Sequence, residues 1–274
     1  MKHLGQIISR SLILCYRERI DELEASLAAW DLKPQVLRGS YSAAELAYPA
    51  ATRTLLNHRR AWEIAAGAPG YTLICEADFV PCRALRTLPV FWPTEDPMAW
   101  GYLYQGSPRL LAIVGPQRYL RGHCAPLVAY AVNGHVARCM LKFFDQAIER
   151  HGTTAYFTWD AHIQWWVMGQ GAQAFMPPRH YGEHGGLPNP EHRQSGIVTR
   201  AGRHRADNLA GALAFLPQYA GGSRFRYRRE RAVARVLGWA RLLSGRWIVD
   251  TNVYPRNLRA TARMYWIGVR RLLP

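Results

Sequence analysis

The chain has no apolar run approaching the roughly 18 residues that a membrane-crossing helix requires, so the sequence offers no integral membrane span. It also lacks the pattern of a cleavable leader. Met1-Lys2-His3 is followed by a short apolar stretch broken by Gln6, Ser9 and Arg10, and a cytoplasmic location is expected. Cysteines number five (Cys15, Cys75, Cys82, Cys124, Cys139), an odd count with no C-x-x-C pair. They read as reduced, mostly buried thiols, and neither a disulfide framework nor a structural zinc site is expected. Acidic residues are scarce beside basic ones, 19 against 35 Lys and Arg, for a net charge of +16. No RNA- or DNA-binding motif accompanies the excess.

What is present argues for a large folded core. Of 274 residues 49% are hydrophobic, and ten are Trp. Strand-like runs near residues 11 to 16, 34 to 38, 71 to 75, 99 to 105 and 127 to 132 alternate with helical stretches such as Arg19 to Trp30. Such alternation predicts an α/β fold with a mostly parallel sheet flanked by helices. Pro89 to Pro97 reads as loop, and so does the Gly- and Pro-rich segment from Tyr181 to His192.

The most informative stretch is Leu73-Ile74-Cys75-Glu76-Ala77-Asp78-Phe79-Val80-Pro81, an apolar run ending in two carboxylates. Glu76 and Asp78 fall at the C-terminal end of a strand, the edge where open α/β sheets bind ligands. Alternation sends both to one side and Ala77 to the other. Mg²⁺ and Mn²⁺ take one or two protein carboxylates plus phosphate oxygens, so the pair suits a diphosphate-bearing substrate. Two solvated charges closing a strand are the plainer alternative.

The unit from Asn57 to Pro81, with His58, Trp62 and Ile64 on a helix before the acidic strand end, resembles glycosyltransferase family 25. Asn57 stands where that family has Ser, and Ala77 where it has the first Asp of an E-D-D motif. Further stretches fit the resemblance in order: Ser11 to Arg19 as a first strand and arginine-bearing helix opening, Ala129 to Ala137 as a strand-turn-helix, and Trp159-Asp160-Ala161-His162 as an Asp-containing helix start. The match covers roughly residues 8 to 185.

The resemblance implies a nucleotide-diphosphosugar transferase fold (GT-A-like, Rossmann-like) and an inverting transfer. The sugar would pass from a nucleoside-diphosphate sugar, a uridine diphosphate sugar in particular, to a glycolipid or glycan acceptor of the cell envelope, with Mn²⁺ or Mg²⁺ as cofactor. On this reading Asp78, Glu76 and His184 hold the metal. Arg17, Arg19, His58, Glu76 and Asn133 bind substrate, and Asp160 is the general base. Each has an alternative: Asp160 as a helix N-cap, His184 as an ordinary loop histidine, His58 as the residue orienting its helix on the strand. Trp159, Trp165 and Trp166 are expected in the core, with an acceptor platform as the alternative.

Residues 1–195 are expected to form the catalytic domain and residues 196–274 a connection and basic helical C-terminal region. From Arg224 to Pro274 thirteen Arg face Glu230 and Asp250, a balance of 13 − 2 = +11. Arg228, Arg231 and Arg235 are expected on one helical face with Val233, Val236, Leu237, Ala240 and Leu243 on the other, and Leu258 to Leu273 mixes arginines with Trp266 and its neighbours. This pattern suits peripheral docking on an anionic membrane surface at the inner face of the cytoplasmic membrane. Simple packing on the catalytic domain is the alternative. A protein of the same fold without turnover, binding lipid or a partner through this region, is the second functional reading.

Overall fold

The computed structural model describes residues 2–187, 191, 204–248 and 258–273. The first half runs α1 (Leu4–Ile7), β1 (Ile8–Cys15), α2 (Asp21–Ala29), β2 (Pro34–Arg38), α3 (Ala43–Leu46), α4 (Ala50–Ala66), β3 (Tyr71–Glu76), β4 (Phe79–Pro81), β5 (Ala99–Tyr102), β6 (Arg109–Val114), β7 (Tyr119–His123) and β8 (Ala129–Asn133). It continues through α5 (Gly134–His151), α6 (Trp159–Gly169), β9 (Gln173–Met176), β10 (Gly182–His184), α7 (Arg224–Leu243) and α8 (Leu258–Leu272).

Eight strands form one sheet in the order β2-β1-β3-β8-β5-β9-β7-β6. The fold is α/β as expected, with a mixed sheet. β8 and β7 run against the other six strands. The reason lies between β3 and β8, where the chain has no long helix to carry a parallel crossover, so β8 returns antiparallel. The strands expected near 11 to 16, 34 to 38, 71 to 75, 99 to 105 and 127 to 132 correspond to β1, β2, β3, β5 and β8.

Alternation along β1 and β3 builds a core on both faces of the sheet. Leu12, Leu14 and Ile74 pack with Leu55, Trp62, Val136 and Met140 from α4 and α5. Ile13, Cys15, Leu73 and Cys75 pack with Leu23 and Leu27 of α2. Each buried Leu, Ile, Val or Met side chain among them contributes about 1.5–3 kcal/mol. Helix starts are satisfied locally or from afar. Asn133 Oδ1 accepts from the backbone N–H groups of His135 and Val136 at the start of α5. The α4 amides of Ala50 and Ala51 donate to the carboxylate of Glu191 at 2.5 and 3.1 Å. All five cysteines are free, and four are buried.

The segment from Tyr181 onward departs from the loop expectation: Gly182–His184 is β10, paired antiparallel with β4. Gly182 makes this possible, since a Cβ there would lie 2.2 Å from the Phe79 ring. Phe215 packs back onto the core. The boundary expected at 195/196 lies outside the described residues. Beyond it, Leu242 and Trp247, and Met264 and Leu272 of α8, share a buried cluster with Leu110, Leu120 and Met176 of the sheet. Beside that cluster Arg271 is buried against Asp207, which His180 Nε2 also contacts at 2.9 Å.

Arg228, Arg231 and Arg235 share one face of α7 as expected, but part of that face meets the body of the protein. Arg228 is exposed, but Arg231 turns inward to Glu183 at 3.0 Å, and Arg235 Nη2 donates to Asn208 Oδ1 at 3.5 Å. Val236 and Leu243, on the apolar face of the pattern, are 67% and 82% exposed, which goes against the packing alternative for them. The helix buries Ala234, Gly238 and Leu242 instead. Among the described residues no helix is long and apolar enough to cross a membrane.

Candidate functional site

β1 pairs with β2 on one side and β3 on the other, which makes the carboxyl ends of β1 and β3 a topological switch point. The loop after β1 carries Arg17 and Arg19, both exposed. The Arg17 guanidinium lies 4.8 Å over the Tyr16 ring, and Arg19 is 3.6 Å from Asp21. The chain leaves β3 at Glu76 and turns through Ala77 and Asp78 into β4. Ala77 packs against the hydrophobic core, so a longer side chain at that position would point away from the acidic pair.

Glu76 is held from behind. His58, on α4 and fully buried, places Nε2 3.2 Å from Glu76 Oε1 and Nδ1 2.8 Å from the Tyr130 hydroxyl. That hydroxyl also accepts from Trp62 Nε1 at 2.8 Å. With both ring nitrogens engaged, His58 reaches a ligand only through Glu76. Its place corrects the expectation of direct substrate contact in favour of the orienting role.

Asp78 meets His184, at the end of β10, with Oδ2 2.9 Å from Nε2. Burial raises the Asp78 pKa, but the charge and hydrogen bond of His184, with the Arg205 guanidinium, carry it below the ordinary value. Burial lowers the His184 pKa, yet Asp78 and then Glu76 lift it above normal. The two form an ion pair. Gly185 N donates to Asp78 O at 2.7 Å, and a Cβ on Gly186 would lie 2.1 Å from Asp78 Oδ2. The glycines let the backbone close on this carboxylate. Asp78 Oδ1 and His184 Nδ1 are buried without a hydrogen-bond partner.

Asp160 lies in the first turn of α6, whose N-cap is Thr158, so the capping alternative does not hold. It is half-buried, and its Oδ1 accepts from Ala161 N at 2.9 Å. Burial, then the charge of Glu76, push its pKa up to about 7. The preceding Trp159 sets its ring 4.9 Å from that of His58 and donates from Nε1 to Ala51 O at 3.0 Å, tying α6 to α4. Trp159 is core and Trp166 packs against the core, but Trp165 is 44% exposed, its ring 4.4 Å from that of His123 and inclined to it at 60°. Core placement fails for Trp165.

Asn133 is also corrected. It pairs with Tyr71, the first residue of β3, at the opposite end of the sheet from Glu76. Capping α5 and donating to Pro97 O at 2.9 Å occupy its side chain. A shallow cavity of about 540 Å³ lies there, lined by Gly70, Glu95, Asn133 and Arg138 among others.

Arg205 was not singled out by the sequence. Its Nη1 donates to His184 O and Gly186 O at 2.9 and 3.0 Å, and its guanidinium stacks 3.8 Å over the Tyr219 ring. Nothing in its local pattern marks it, because its partners are distant in the chain. Among the described residues no three His, Cys, Asp or Glu side chains converge as a ready ligand group for a metal ion. No protein-family model, curated protein or solved structure matches the chain.

Proposed function

We propose that the chain is an inverting glycosyltransferase that moves a sugar from a nucleoside-diphosphate sugar to a glycolipid or polysaccharide precursor. The observation that carries this reading is the gathering of Glu76, Asp78, His184 and Asp160 beside the switch point of the sheet, with one carboxyl pushed up to about 7 and one held low. Opposite shifts in neighbouring acids separate a proton acceptor from a charge-bearing group. The order of motifs from Ser11 to His162 adds the resemblance to glycosyltransferase family 25, and the nucleotide-diphosphosugar (GT-A-like) fold with it.

The acceptor hydroxyl attacks the anomeric carbon as the bond to the diphosphate oxygen breaks. Asp160 takes the hydroxyl proton at Oδ2, the oxygen not engaged by Ala161. Arg17 and Arg19 meet the diphosphate from the β1 loop, and the His184 imidazolium adds positive charge on the leaving side. His58 keeps Glu76 oriented. The residues that would hold Mn²⁺ or Mg²⁺ are Asp78, through its unpartnered Oδ1, and Glu76, with diphosphate oxygens completing the shell and His184, an imidazolium paired to Asp78, outside it. When bound, the ion supplies neutralisation of the diphosphate.

The test is calorimetric titration with a panel of nucleoside-diphosphate sugars, with and without Mn²⁺, beside Asp78→Ala. Metal-dependent binding of a donor that the variant loses supports the reading. A folded protein that binds none overturns it. One observation favours the second reading, a non-catalytic protein of this fold: Asp78 is already neutralised by His184. Donor binding without hydrolysis or transfer would select it.

A further inference from the structure

Helix α7 carries seven arginines (Arg224, Arg226, Arg228, Arg229, Arg231, Arg235, Arg241) and one acidic residue, Glu230. Arg231, Arg235 and Arg241 are used by the body of the protein, through Glu183, Asn208 and Asp207. The other four crowd the first two turns and are exposed. The first turn holds no acidic residue, and Arg229 finds Glu230 at 3.3 Å. Cations gathered at the positive end of a helix dipole repel it and one another. External anions relieve both.

The same helix exposes large apolar groups. Phe225 is 79% exposed, Val236 67% and Leu243 82%. With 3.6 residues per turn these three fall within about 20° of one line along the helix. Arg228 and Arg229 flank that line. The buried residues Ala234, Gly238 and Leu242 lie on the other side, so the stripe is not the packing face.

We propose that this outward face of α7 docks the protein on an anionic lipid surface. Phe225, Val236 and Leu243 enter the boundary between headgroups and acyl chains, while Arg224, Arg226, Arg228 and Arg229 lie among the lipid phosphates. The charge selects the partner. An apolar protein groove would leave four arginines unmatched, and a polynucleotide would leave Val236 and Leu243 in water, since single strands are held by stacking aromatics. The inference rests on α7 alone and stands whether or not sugar transfer is the activity.

The experiment is flotation of the full chain with vesicles of phosphatidylcholine alone or mixed with phosphatidylglycerol, at about 0.15 M salt. The protein is expected to float with the anionic vesicles only. Val236→Ser with Leu243→Ser, and separately Arg226→Glu with Arg228→Glu, each lower the partition coefficient tenfold or more. Trp165→Ala, at an exposed aromatic elsewhere, leaves it unchanged. All four α7 positions are exposed, so unaltered thermal melts accompany the change. Failure to float with anionic vesicles overturns the proposal, as does equal flotation of either double variant. Binding that the charge variant loses, the apolar variant keeps and a polynucleotide competes away also overturns it.

Discussion

Asp78 and His184 form an ion pair across the β4–β10 ribbon, Oδ2 to Nε2 at 2.9 Å, and Gly186 seals it with a hydrogen where any other residue would place a carbon. A Cβ at Gly186 would sit 2.1 Å from Asp78 Oδ2, so the carboxylate must move. Gly186→Ala is expected to keep the circular dichroism spectrum and lose at least about tenfold in Mn²⁺-dependent donor affinity by calorimetry, on the scale of one misplaced ligand group. Unchanged affinity would remove Asp78 from the donor site.

Asp160 links activity to pH. Its carboxyl, pushed up to about 7 by burial and by Glu76, must be ionised to accept a proton. Transfer rate should therefore rise through about pH 7, and Asp160→Asn should abolish it. Stability runs the other way. A carboxyl whose folded pKa is raised stabilises the fold fully below its unfolded value and loses that contribution as pH rises through the folded one. Asp160→Asn should thus melt at or above the wild-type temperature at pH 8, with a smaller advantage at pH 5. A pH-independent rate in the wild type would rule Asp160 out as the base.

His58 offers a test of positioning without contact. His58→Phe fills the space but leaves the buried Tyr130 hydroxyl without its acceptor and Glu76 without its partner. A loss of about 1–3 kcal/mol in urea unfolding is expected. His58→Gln, which keeps one hydrogen bond, should recover part of it. If the two variants unfold alike, the network contributes nothing to stability.

Arg231 balances a carboxylate that has no exposure of its own, Glu183. Arg231→Ala leaves that charge buried and should cost about 3–5 kcal/mol at pH 7. Burial already raises the Glu183 pKa against the pull of Arg231, so the variant protonates Glu183 more readily. The deficit should shrink as pH falls toward 5, a dependence that chemical denaturation at two pH values reads directly.

Much of the sheet was legible because β1, β3 and β8 are apolar runs bounded by turns, and their two faces alternate into two clusters. The hairpin β6–β7 was missed. Arg109 to Val114 is a short apolar run that periodicity cannot assign to strand or helix. β10 was invisible for another reason: Gly182-Glu183-His184 has no strand propensity and pairs only because β4 presents an edge. Of the site, the acidic strand end could be read locally, whereas the roles of His58 and Asn133 turned on neighbours far along the chain. On α7 the two-sided pattern of arginines and apolar residues is legible, but not which residues meet the body of the protein. The helix buries Ala234, Gly238 and Leu242 and turns Arg231 in to Glu183.

β10 places consecutive side chains on opposite sides, so Glu183 grips α7 while His184 grips Asp78. A truncation after residue 195 would remove Ala206, Tyr219 and Arg231 together, the three partners of the Glu183 carboxylate, from the strand that carries His184. α7 is thus tied to Asp78 through one guanidinium and two consecutive residues of strand.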